Sequence, residues 1–153
     1  MKWSGRCLAT LFLSFVAFFA RAETGERIAL VIGNSAYPGA PLANPQNDAR
    51  AMGDLLRRAG FVVDQQLDTS HAELSHAVSR FGMAIINPKV KFGLFYYAGH
   101  GLQQEWRNYL VPVSADIRSA DDVRKKTVDV SALLAYMDRA KGRSFLVPGR
   151  LSR

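Results

Sequence analysis

Two hydrophobic periods alternate along this chain. Residues 27–32 form a near-continuous apolar run, which predicts a strand buried on both faces of a parallel sheet. A turn-rich stretch at 33–46 leads into 47–59, where Ala51, Met52, Leu55, Leu56 and Ala59 recur at helical spacing and Gly60 supplies a stop; Asn44 or Asn47 is placed to cap its start. A second strand begins at 61–63. Residues 70–86 return to the helical period through Leu74, Ala77, Val78, Phe81 and Ile85, closed by Pro88. Residues 92–98 read as a third strand, 109–113 as a short extended piece, and 130–140 as a helix with Leu133, Leu134 and Met137 on one face. A fourth strand starts at 143–147 and is broken by Pro148 and Gly149, leaving a basic tail without apolar pattern. Strands alternating with helices define an α/β fold with a mostly parallel sheet flanked by helices, and no repeat or linker divides it.

The N-terminus stands apart from this pattern. Lys2 and Arg6 precede an apolar run at 7–20, and Ala20-Arg21-Ala22 offers an A-x-A cleavage site, so residues 1–22 read as a signal peptide and 23–153 as one domain. The run is shorter than the roughly 18 residues of a spanning helix, so no stable membrane span is expected after cleavage; an uncleaved N-terminal anchor is the alternative. Export to the periplasm or the outside follows. Loss of Lys2, Arg6 and Arg21 lowers the net charge from +7 to +4, spread over short groups such as Arg57-Arg58 and Arg124-Lys125-Lys126 without interleaved aromatics. Such groups read as solvated surface, and no nucleic-acid partner is expected. The only cysteine is Cys7, so the mature chain has neither disulfides nor thiolate metal sites. His71 and His76 are five apart and fall on different helix faces, which spoils a paired metal site; no metal or cofactor is expected.

Chemistry concentrates at the end of the third strand, where ligand and catalytic groups collect in α/β sheets. Five blocks occur in order: Ile32-Gly33-Asn34, Leu42-Ala43-Asn44-Pro45-Gln46-Asn47-Asp48-Ala49, Gly60-Phe61, Tyr96-Tyr97-Ala98-Gly99-His100-Gly101, and Asn108-Tyr109-Leu110-Val111-Pro112. Together they resemble the large-subunit half of the caspase-like and metacaspase-like cysteine peptidases, bacterial branch, over residues 27–147. The resemblance implies a caspase-like three-layer fold, here incomplete at its C-terminal side, and peptide or protein substrates. His100 matches the histidine that takes the thiol proton and later protonates the leaving amine. Gly101 matches the residue whose backbone N–H joins the oxyanion hole. Glycines on both sides of the histidine read as room for a substrate backbone. Asp48 matches an aspartate that holds a substrate Arg or Lys; read by itself, it is equally a first-turn charge favoured by the helix dipole. The loop at 34–41 contains no arginine with which to hold an acidic side chain, so cleavage after Arg or Lys is the expectation. Trp106 and Tyr109 stand close enough in sequence to line a groove, or to serve as packing.

The departure from the family is the nucleophile. By the family's spacing a Leu-Asp-Ala-Cys-Arg-like segment follows the histidine by about 50 residues. Here Pro148-Gly149-Arg150-Leu151-Ser152-Arg153 stands in its place. These residues are encodable as CCT GGA CGC CTG TCG CGA, and the same bases read one nucleotide later give Leu-Asp-Ala-Cys-Arg. The cysteine then falls at position 151, which is 51 residues after His100. Residues 148–153 thus read as a frameshifted tail on a truncated cysteine-type endopeptidase domain, inactive as written. The alternative is a non-catalytic pseudo-peptidase that binds peptides or proteins through the Gly-His-Gly face. A nucleotide-binding domain is disfavoured, since the loop after the first strand lacks G-x-G-x-x-G and any P-loop lysine.

Overall fold

A computed structural model describes residues 25–152, and of residues 148–152 the backbone alone. The leader expected at 1–22 lies outside the described residues. The elements run β1 (Glu26–Gly33), α1 (Pro45–Arg58), β2 (Val62–Leu67), α2 (His71–Ile85), β3 (Val90–Gln104), β4 (Arg107–Leu110), α3 (Ala120–Lys126), β5 (Val128–Asp129), α4 (Ser131–Arg139) and β6 (Ser144–Ser152). Among the described residues no helix is long and apolar enough to cross a membrane.

The apolar run of β1 is continuous because both faces of the strand are covered. Leu30 and Ile32 point into one core with Leu74, Phe81, Phe95 and Leu133, while Ala29 and Val31 point into a second core with Ala49, Leu56, Tyr96 and Ala98. The first core is closed by α2 and α4 and the second by α1, giving helix, sheet and helix layers. Parallel ladders join β1 to β2, β1 to β3 and β3 to β6. Beyond them β4 adds antiparallel to the far end of β3, and β5 antiparallel to β4.

Several local expectations change. The buried stripe of α1 is Pro45, Ala49, Gly53 and Leu56, whereas Leu55, about 100° around the helix from Leu56, falls outside the face turned to the sheet and is exposed. Asn44 occupies the N-cap without a side-chain capping bond, and Pro45 begins the helix. Gly60 ends it at φ 83°, a conformation that glycine adopts without strain. Helix α3, absent from the periodicity, begins at a capping box formed by Ser119 and Asp122. The Arg124-Lys125-Lys126 group is its last turn, with Arg124 paired to Asp121 and Lys126 to Asp122.

Strand β6 is the largest correction. The break predicted at Pro148 and Gly149 does not occur: the strand continues to Ser152, with its register against β3 shifting between Tyr97 and Gly99. Among the described residues β6 is paired on one side only, and an edge strand tolerates proline because half of its N–H groups face no partner. The same edge leaves Phe145 and Leu146 exposed, 52% and 42%, on opposite faces of the strand. The 153-residue chain should therefore self-associate through this edge. Light scattering across a micromolar concentration series checks it; a monomer with one sharp, cooperative thermal transition would count against it.

Candidate active site

The site forms where β3 changes partner. Up to His100, β3 lies in the parallel ladder, with His100 opposite Ser152 of β6; from Gly101, which pairs with Leu110, it runs antiparallel to β4. His100 is thus inside a strand that runs on to Gln104, past the end at residue 98 that the apolar pattern predicts. Leu151, where the shifted frame puts cysteine, pairs with Gly99, next to His100 in the ladder.

The loop after β1 wraps over this switch point, held by two polar side chains, the buried Asn34 and the half-buried Asp68. Asn34 is fully buried: its Oδ1 accepts from the Thr69 amide at 2.9 Å and the Thr69 hydroxyl at 3.1 Å, and its Nδ2 donates to the Val111 carbonyl at 3.3 Å. Asp68, at φ 49°, accepts from the amides of Ser35 at 2.7 Å and Ala36 at 3.0 Å, and from the side chain of Gln46 at the start of α1. Loop, strand ends and helix start are therefore fixed to one another before any substrate arrives.

The loop delivers the Ala40 carbonyl to His100 Nε2 at 3.0 Å. A carbonyl only accepts, so Nε2 carries the proton and the lone pair of the neutral imidazole belongs to Nδ1. The Tyr37 ring stands edge-on to the imidazole, 4.4 Å between centroids. The Tyr37 hydroxyl accepts from the His100 amide at 2.9 Å and donates to the Val111 carbonyl at 3.0 Å. The Tyr97 hydroxyl, 3.3 Å from that of Tyr37, donates to the carbonyls of His100 or Val111, each at 2.9 Å. Burial pushes the Tyr97 phenol well above its usual pKa and raises that of Tyr37, so both remain protonated donors.

These phenols correct the reading of Gly99. A Cβ there would lie 2.6 Å from the Tyr37 hydroxyl and 2.8 Å from that of Tyr97, so the room on this side of His100 is filled by the protein itself. Gly101 lines an open, largely apolar cavity of about 700 Å³ with Tyr97, Leu102, Leu110, Leu134 and Val147. Tyr109 also lines it and is buried, whereas Trp106 projects from the hairpin tip at 94% exposure, which takes it out of the groove.

Asp48 sits half-buried in the first turn of α1. Among the described residues no side-chain hydrogen bond or ion pair engages its carboxylate, and its charge adds to burial in raising the pKa of Tyr96 on β3. No hydrogen bond or ring contact joins Asp48 to His100; the loop from Ala40 to Pro45 connects them. His71 touches the Thr127 carbonyl at 3.3 Å and His76 meets Arg80 at 3.2 Å, both away from this site. Among the described residues no cluster of His, Cys, Asp and Glu is placed to hold a metal ion.

Sequence reasoning missed Tyr37, Asn34 as a polar bridge, and Asp68. A signal existed for Asn34, a polar residue directly after an apolar run; nothing local marked Tyr37 as a neighbour of a residue 63 positions later.

Residues 26–140 match the caspase domain family, and the chain belongs to it. The matched span contains Asp48, His100 and Gly101. The mouse homolog of mucosa-associated lymphoid tissue lymphoma translocation protein 1 is 37% identical over 91 residues, 59% of this chain and 11% of that protein; the human protein matches to the same extent. The aligned region is thus about a tenth of either relative. The crystal structure of protein GSU0716 from Geobacter sulfurreducens superimposes with a TM-score of 0.56 over 80% of this chain and 48% of the other, at 17% identity. That likeness is one of fold, and it agrees with the partial caspase-like α/β architecture.

Proposed function

We propose that this chain is the base-carrying part of a cysteine endopeptidase that cuts after Arg or Lys, and that as written it lacks the nucleophile. His100 is the general base through Nδ1, Gly101 contributes its N–H to the oxyanion hole, and Asp48 holds the basic side chain of the substrate. The observation that carries this reading is the pairing of position 151 with Gly99, beside a His100 whose Nε2 is already committed to the Ala40 carbonyl. A shifted frame that restores Leu-Asp-Ala-Cys-Arg puts its cysteine at that position. The same frame would supply the thiol that residues 23–153 lack.

The test is to sequence the gene across the codons for residues 147–153 and beyond, and to assay both products on Arg-, Lys- and Asp-ended fluorogenic peptides. The 153-residue chain should show no turnover, since a serine hydroxyl without a lowered pKa is a poor substitute for a thiolate. The frame-restored protein should cleave Arg- and Lys-ended peptides. Turnover by the 153-residue chain that His100→Ala abolishes would sink the claim of inactivity. A closed downstream frame would instead favour a peptide-binding pseudo-peptidase.

Asp48→Ala in the frame-restored protein should lower kcat/KM on Arg- and Lys-ended peptides by about 10- to 100-fold, the worth of a charge-assisted pair, with kcat on a neutral-ended peptide unchanged. Equal slowing of all substrates would make Asp48 a helix-dipole charge and not a specificity residue.

A further inference from the structure

The loop that carries Ala40 and the strand that carries His100 are separate pieces of chain, yet the carbonyl and the imidazole must meet within a hydrogen bond. One side chain spans them. Tyr37 belongs to the loop: its carbonyl accepts from the Ala40 amide at 3.3 Å, and its own amide donates to the Ser35 carbonyl at 2.9 Å. Its hydroxyl reaches the His100 amide and the Val111 carbonyl, and its ring packs edge-on against the imidazole. We infer that Tyr37 is a positioning residue, a strut that sets the distance between the Ala40 carbonyl and the His100 ring and thereby selects the Nε2–H tautomer. The inference rests on the reading of His100 as the base and adds the residue that holds it ready.

The two phenols are not equivalent in this role. Tyr37 supplies an acceptor for the His100 amide, and a part-buried N–H stripped of such a partner is costly. Tyr97 supplies a proton to carbonyls that have other donors: the His100 carbonyl also accepts from the Val111 amide at 3.1 Å, and the Val111 carbonyl also accepts from Tyr37 and Asn34. Removing the Tyr97 hydroxyl therefore leaves every partner satisfied. Gly99 fits the same arrangement, because any side chain there would displace both hydroxyls.

Proton-nitrogen correlation spectra of the histidine rings in the 153-residue chain test this without any peptidase activity. The proposal can therefore fail while the proteolytic reading stands, and the reverse. His100 is assigned by the signal lost in His100→Ala. In the unsubstituted chain its neutral form should be almost wholly the Nε2–H tautomer. Tyr37→Phe, which keeps the ring and removes the hydroxyl, should lower the ratio of Nε2–H to Nδ1–H by about tenfold, the worth of one hydrogen bond, with the His71 and His76 signals unmoved. Tyr97→Phe should leave the ratio unchanged. An unaltered ratio in Tyr37→Phe, or the same change in both variants, overturns the proposal. A second reading needs no substitution: the Tyr37 hydroxyl proton should exchange with water slowly enough to be seen and should show a nuclear Overhauser effect to the His100 amide. Its absence from the spectrum, even if Tyr37→Phe fails to fold, overturns the proposal as well.

Discussion

His100→Ala in the frame-restored protein should cut kcat by about 10²- to 10⁴-fold while KM for an Arg-ended peptide changes little. In the proposed mechanism the imidazole acts twice, withdrawing the thiol proton and then delivering a proton to the leaving amine, and neither act contributes to holding the substrate before reaction. Cysteine retains some nucleophilicity at neutral pH from its own thiolate fraction, so a residue of activity that rises with pH should remain. Steady-state kinetics between pH 6 and 9 check this in one series. A kcat within a factor of three of the parent would exclude His100 as the base, whatever the family match. A large rise in KM at constant kcat would make it a binding residue.

Asn34→Ala should cost about 2–4 kcal/mol of folding stability, the largest effect expected of any single polar side chain here. The Thr69 amide and hydroxyl lose their shared acceptor at a site where Thr69 is only 1% exposed. The Val111 carbonyl contributes less to the loss, because Tyr37 and Tyr97 still donate to it. Asn34→Asp separates the terms: the carboxylate still accepts from Thr69, but it brings an uncompensated buried charge against the Val111 carbonyl. Urea unfolding of the three proteins reads the difference. A loss below 0.5 kcal/mol in the alanine variant would mean that the link between the ends of β1, β2 and β4 carries no weight in the fold.

The legible part of the fold came from long, strongly periodic segments. The run in β1 announced a doubly covered strand because every residue from Ala29 to Ile32 meets one of two cores. The stripe of α2 was correct residue for residue at Leu74, Ala77, Val78, Phe81 and Ile85, and Ser70 with Glu73 forms a capping box at its start. Short elements were not legible. Helix α3 buries a single residue, Val123, so it has almost no hydrophobic period to detect, and its only local signal is the Ser119 and Asp122 cap. β5 is two residues long and exists because β4 offers it a ladder partner.

The site divides in the same way. His100, Gly101 and Asp48 were nameable because they fall in contiguous blocks of distinctive residues. What arranges them was not. Whether Asp48 is a helix-start charge or a half-buried carboxylate facing Tyr96 depends on the strand that α1 packs against. The glycine before His100 had an obvious local explanation, space for substrate, and a different tertiary one, two phenols delivered by β3 itself and by a loop 60 residues away. The break predicted at Pro148-Gly149 failed for a related reason. Local chemistry disfavours strand there, but the open side of β3 supplies a ladder, and an edge strand has no partner that needs the missing N–H.

The sequence alone determined the α/β class, a first strand buried on both faces, the family blocks and the position of the single cysteine, Cys7. These are properties of composition, period and contiguous pattern, which the chain carries without folding. Tertiary structure decided the partner of each polar group: the Ala40 carbonyl for His100 Nε2, the Tyr37 hydroxyl for its amide, Asn34 for Thr69, and the register that sets position 151 against Gly99. Hydrogen bonds act over about 3 Å and are indifferent to separation along the chain, so no window of sequence contains them.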